Sequence, residues 1–212
     1  MNKNIIGNKK NVFWDFDGVI KDSVEIKSNA YEELFLQWGK DVSLKVRDHH
    51  RLNGGMSRYD KIPLYLSWTN LSVDKLLVDK LCSDFSYLVK QKVINSPWVP
   101  GVVDFIKYIH DKGIISYIIT ATPQDEINEI LDEIKINSFF EEIIGAPTKK
   151  SIAIKKIIDK YQLKGKDAVM IGDSMSDLVA AEDNNIDFIL RKTFENINIQ
   201  HDVNYLMIDD FI

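Results

Sequence analysis

The run VFWDFDGVIKDS, Val12 to Ser23, constrains this chain more than any other segment. Three apolar residues stop abruptly at Asp15 and Asp17, which flank one aromatic, and Gly18 follows. An apolar triplet ending in such a turn predicts a short buried strand. Side chains alternate along a strand, so Asp15 and Asp17 share one face at its carboxyl end. Two carboxylates placed there repel each other and lose hydration. A hard divalent cation such as Mg2+ offsets that cost, and phosphoryl chemistry is its common use. A strand that merely runs into an acidic turn is the plainer reading, and the rest of the chain decides between them.

The pattern downstream changes once. From Val24 to Asn95 no strong strand candidate is present, and the spacing of apolar residues predicts helices over Val24 to Trp38, Leu44 to Leu52, Arg58 to Trp68 and Val73 to Val93. Ser72 is the candidate N-cap of the last. His49 and His50 read as exposed helix residues, without a carboxylate or cysteine at ligand spacing. After Pro97, Pro100 and Gly101 the character shifts to alternating helices and fully apolar strands. Strands are expected at Ile114 to Thr120, Glu142 to Gly145, Ala168 to Gly172, Phe188 to Leu190 and Tyr205 to Met207. Helices are expected at Val102 to His110, Glu126 to Ile134, Ile152 to Tyr161 and Leu178 to Asn184. That rhythm implies a doubly wound parallel sheet covered on both faces, with residues 23–96 inserted as an all-α block between 1–22 and 97–212.

Sites in such sheets form where strands end, and the other strands also end in chemistry. Thr120 closes one, followed by Ala121 and an expected helix start, where a hydroxyl and free N–H groups make a phosphate cradle. Thr is also a common strand ender. Lys149 and Lys150 enter a helix at its unfavourable end for a cation, which an anion would explain and two solvated lysines would not require. Gly172 and Asp173 end a further strand, with Asp177 in the first turn beyond as ligand, hydrogen-bond partner or cap.

Composition narrows the classes. The chain has 212 residues, 45% hydrophobic and 28% charged, enough for one substantial domain with an inserted module. A net charge of -5 without a basic face gives no sign of a nucleic-acid partner. No apolar run approaches the roughly 18 residues that span a bilayer, and residues Met1 to Lys10 lack the apolar region of a secretory signal. The single cysteine, Cys82, excludes an internal disulfide, fits a reducing cytoplasm and reads as a small core residue.

Taken together, these motifs resemble the haloacid dehalogenase superfamily, with DFDGVIKDS as its first motif, Thr120 as the second, Lys150 or Lys149 as the third and IGDSMSD as the fourth. The resemblance implies a Rossmann-like core with a helical cap after the first motif, as in β-phosphoglucomutase and phosphoglycolate phosphatase. It also implies roles. Asp15 would form an aspartyl-phosphate, and Asp17 would serve as acid and base. Mg2+ would be held by Asp15, the backbone carbonyl of Asp17 and Asp173, with support from Asp177. Thr120, the Ala121 N–H and Lys150 would hold phosphoryl oxygens. The cap stretch with Gly54, Gly55, Ser57 and Arg58 resembles the specificity loop of sugar-phosphate enzymes, although Ser57 reads equally as an N-cap. Lys27 stands where phosphoglucomutases carry a histidine, which favours hydrolysis over the mutase alternative. A receiver-type signalling module is disfavoured, because no lone aspartate ends the Ile114 to Thr120 strand and the chain is too long. The implied partner is a small phosphorylated metabolite, with the protein a monomer or small homo-oligomer.

Overall fold

The computed structural model describes residues 4–69, 71–201 and 204–212. Six parallel strands form one sheet in the order β3-β2-β1-β4-β5-β6. They are β1 (Asn11–Trp14), β2 (Ile115–Pro123), β3 (Glu142–Ala146), β4 (Ala168–Gly172), β5 (Asp187–Arg191) and β6 (Leu206–Ile208). The expected α/β architecture is therefore present. Strand order reverses between β1 and β4, so the ends of these two neighbours open the crevice where such sheets hold ligands.

Period-two alternation distributes the core. Val12 and Trp14 of β1 join one hydrophobic cluster, with Phe105 and Ile109 of α5 (Val102–Asp111) and Ile127 and Ile130 of α6 (Gln124–Glu133). Phe13 joins the other, with Ile154 and Ile157 of α7 (Lys150–Tyr161) and Ala180 and Ala181 of α8 (Met175–Asp183). Both faces of the sheet are thus dry, as continuous apolar strands require. Cys82 lies in the first cluster as a buried core residue.

Between β1 and α5 the chain is helical: α1 (Val24–Phe35), α2 (Lys40–Leu52), α3 (Arg58–Leu66) and α4 (Lys75–Ile94). Tyr31 and Phe85 stack at their centre with ring centroids 3.9 Å apart, and Tyr65 meets Tyr31 edge to face. α4 also packs on α6, so this block leans on the sheet layer rather than standing free. Among the described residues, no helix is long and apolar enough to cross a membrane.

Several boundaries differ from expectation for local reasons. The first helix stops at Phe35 and tightens into a 3-10 turn over Leu36–Trp38, because Gly39 takes φ 104°. α4 begins at Lys75 behind Asp74, not behind Ser72. β2 runs past Thr120 to Pro123 through a register shift, and α6 starts only at Gln124. The helix N-terminus therefore lies beyond Ala121, and the cradle expected immediately after Thr120 is strand backbone. His50 is buried at 3% exposure and His49 half-buried instead of facing solvent, because Tyr31 of α1 and Lys61 of α3 meet the first and Tyr65 of α3 meets the second.

Trp14 anchors the strand that carries both acids. Its ring lies 5.6 Å from Phe211 and 6.1 Å from Phe105, and its indole N–H donates to Ser116 Oγ at 3.2 Å. Trp14→Ala should therefore lose about 3–5 kcal/mol of unfolding free energy in urea; a loss below about 1 kcal/mol would show that the site does not lean on this packing.

Candidate active site

Asp15 is the first residue beyond β1, and its N–H donates to Ile171 O of β4 at 2.9 Å. That bond carries the strand pairing one residue further and fixes Asp15 beside Asp173, the first residue beyond β4. Gly18 turns the loop after Asp15 with φ 80°, and a Cβ there would collide with the Asp173 carboxylate. Asn196 braces the other side, donating to Asp173 O at 2.7 Å. Sequence reading missed Asn196, which sits in an irregular loop without a pattern.

Asp177 enters from the first turn of α8 and forms a capping box with Ser174. One of its oxygens accepts from the Ser174 N–H at 3.1 Å and hydroxyl at 2.5 Å. The other accepts from Lys150 Nζ at 2.6 Å, and Lys150 also reaches Asp15 Oδ2 at 2.8 Å. This explains a lysine at the first position of α7. Lys149, its N-cap, is exposed and lines an outer cleft instead.

One oxygen from each of Asp15, Asp173 and Asp177 lies within 4.8 Å of the others. At an effective dielectric of about 20, two charges at that spacing repel by roughly 3–4 kcal/mol. One ammonium does not balance three carboxylates. Burial and repulsion from Asp177 lift Asp15 to about 7 against the pull of Lys150. Burial and the charges of Asp15 and Asp177 lift Asp173 well above the ordinary carboxylate range. Burial disfavours the Lys150 ammonium, but Asp15 and Asp177 outweigh it and raise its pKa. An electron-rich set of hard oxygens with excess negative charge fits Mg2+. Asp173 is the freer donor, since both Asp177 oxygens already accept hydrogen bonds and Asp15 accepts from the Phe16 N–H at 2.8 Å and from Lys150.

Asp17 occupies a separate pocket wall. Its carboxylate accepts from Ser23 Oγ at 2.6 Å, Lys27 Nζ at 2.5 Å and Thr122 Oγ1 at 3.0 Å. Burial alone would raise Asp17, but Lys27 and these hydrogen bonds win and hold it below the ordinary carboxylate range. Thr122 was not foreseen. Thr120 stays buried on β2, its Oγ1 accepting from the Thr122 N–H at 3.1 Å, and lines the same cavity with Ala121.

The turn between α2 and α3 closes over this cavity. Gly54 lines it, and Gly55 lies so near the β4–α8 turn that a Cβ would strike the Ser174 and Ser176 hydroxyls. Ser57 caps α3, accepting from the Tyr59 N–H at 3.2 Å. Arg58 lines the cavity, yet its guanidinium is committed elsewhere: both terminal nitrogens donate to Glu126 of α6, at 2.8 and 2.7 Å, and one also to Ser86 Oγ. Side-chain exposure of the pair is 3% and 6%. No local signal foretells a bond between residues 68 apart.

A family model described as haloacid dehalogenase-like hydrolase matches residues 12–191. A phosphoglycolate phosphatase of Pseudomonas putida is 26% identical over 176 residues, covering 81% of this chain. The chain spans 65% of that relative's length. Two solved structures share the fold, each with a TM-score of 0.76. CbbY from Rhodobacter sphaeroides, in complex with xylulose-1,5-bisphosphate, is 16% identical, with 96% of this chain and 95% of that one covered. A β-phosphoglucomutase from Clostridium difficile is 17% identical, with 96% and 92% covered.

Two outcomes follow from this geometry. Arg58→Ala should cost about 3–5 kcal/mol by leaving Glu126 charged and dry, whereas replacing both partners by apolar residues should be nearly neutral; chemical denaturation separates these. Asp173→Asn should stabilise the metal-free protein by about 1–2 kcal/mol, since it removes a repelled charge. The same variant should lose the rise in Tm that Mg2+ gives the parent, and a rise equal to the parent's would remove Asp173 from the cation site.

Proposed function

The chain belongs to the haloacid dehalogenase-like hydrolase family, and from that premise we propose that it hydrolyses the phosphomonoester of a small metabolite, a sugar phosphate being the preferred class. The observation that carries this reading is the buried Asp15–Lys150–Asp177 chain with Asp173 alongside, at the reversal of strand order. A carboxylate nucleophile, a lysine that can meet phosphoryl oxygens and an oxygen-donor set then share one crevice.

Asp15 attacks phosphorus, forms the aspartyl-phosphate and releases the ester oxygen. Lys150, the Thr120 hydroxyl and the Ala121 N–H hold the phosphoryl oxygens as charge spreads over them. Mg2+, held by Asp15, Asp173 and the Asp17 carbonyl with Asp177 in support, would neutralise charge on the transferring group. Asp17 serves both proton transfers. With Lys27 bonded to it, it is ionised, the form that accepts a proton from the water hydrolysing the intermediate. For the earlier donation to the leaving oxygen it first takes up a proton from solvent, to which its side chain is 17% exposed. The block of α1 to α4 acts as a cap that excludes bulk water from the first step.

Hydrolysis is favoured over phosphoryl transfer between two positions of one sugar. Lys27 at Asp17, where the mutases resembled here carry a histidine, supports that order. Asp15→Asn should abolish Mg2+-dependent phosphate release across a panel of phosphorylated sugars and small acids, with far-UV CD and Tm retained. Turnover by that variant above about 1% of the parent rate would sink the aspartyl-phosphate route.

A further inference from the structure

Four cationic side chains line the cavity over Asp15: Lys27, Arg58, Lys61 and Lys150. Three already have carboxylate partners, Lys27 with Asp17 at 2.5 Å, Arg58 with Glu126 at 2.7 Å and Lys150 with Asp15 at 2.8 Å. Lys61, on α3, has none among the described residues. Its Nζ bonds instead to His50 Nδ1 at 2.7 Å and to the Gly54 carbonyl at 3.2 Å, with 1% of the residue exposed. A buried ammonium without a counter-ion is costly, and proteins rarely retain one unless something else supplies the charge.

The neighbouring histidine repeats the message. With Nδ1 accepting from Lys61, the His50 proton sits on Nε2. That Nε2 is buried and has no hydrogen-bond partner among the described residues. Both side chains line the cavity. The cavity wall thus presents a third Lys61 hydrogen and the His50 Nε2–H, two donors without an acceptor among the described residues. Burial, then the Lys27 charge, pushes Lys61 well below its ordinary range, and an arriving anion would reverse that push.

We infer that Lys61, backed by His50, is a specificity-determining residue that binds a second oxyanion on the leaving group, so the substrate is a phosphomonoester carrying an additional carboxylate or phosphate. The inference rests on the hydrolase reading above. Sequence alone gave no hint of it, because Lys61 looks like any polar residue on an amphipathic helix. It also reassigns recognition within the cap: Arg58 is neutralised by Glu126, and the free cation one turn on along α3 takes its place.

The test compares kcat/KM, with Mg2+, for 2-phosphoglycolate, a sugar bisphosphate and uncharged-tail ethyl phosphate. The wild-type protein should prefer at least one doubly anionic ester by about 30-fold over ethyl phosphate, in the range of a charged hydrogen bond. Lys61→Met removes the charge while keeping an apolar stem, and should collapse that ratio about 30-fold, mainly through KM; Lys61→Arg should restore part of it. Whichever acid shows the preference identifies the anion. No preference in the wild type, or a ratio unmoved by Lys61→Met, overturns the assignment even if that variant folds poorly. Absence of phosphate release from every ester would defeat the hydrolase reading instead. Calorimetric binding of 2-phosphoglycolate and ethyl phosphate then decides Lys61 alone: equal affinities, in the wild type or across the two variants, would reject it.

Discussion

One ammonium shared among three buried carboxylates governs this structure. Lys150 cannot balance Asp15, Asp173 and Asp177, yet every neighbouring element is arranged to keep those acids together. β1 and β4 run side by side so that their next residues face each other. Gly18 gives up its side chain so that Asp173 can approach, and Asn196 ties that residue's carbonyl to the loop after β5. α7 accepts a cation at its unfavourable end. Stability is conceded locally at the strand ends and supplied by the aromatic packing of Trp14, Phe105 and Phe211 beneath.

A second, smaller balance sits beside the first. Ser23 does not cap α1 with its hydroxyl; it donates to Asp17 instead. One turn later, Lys27 points to the same carboxylate and also donates to Thr122 at 2.9 Å. Two acids two residues apart thus live in opposite environments. One is buried beside like charge and pushed up despite its lysine, the other is wrapped in donors and held down. Such divergence is how adjacent carboxylates acquire different tasks.

The parts legible in the sequence were those encoded locally or by period. Continuous apolar runs identified the sheet, and acids at their ends identified Asp15, Asp173 and Asp177 as neighbours, because parallel strands bring their carboxyl ends to one edge. Lys149 and Lys150 remained equivalent until the helix phase was known, since one position of rotation separates solvent from the crevice. Burial of His50 and Lys61 was hidden for a related reason: helices α1 to α4 pack on several sides, so polar residues on an interior face look like surface ones. The extension of β2 to Pro123 comes from a register shift against β3, a property of the pair that neither strand carries by itself.

The Arg58–Glu126 bond has one more consequence. Any route that parts α3 from α6 must carry both charges from a dry seam into water, and neither partner can be hydrated while the other stays in place. Intermediate gaps are therefore poor in energy, and the pair favours α3 and α6 fully seated on each other over any partial separation.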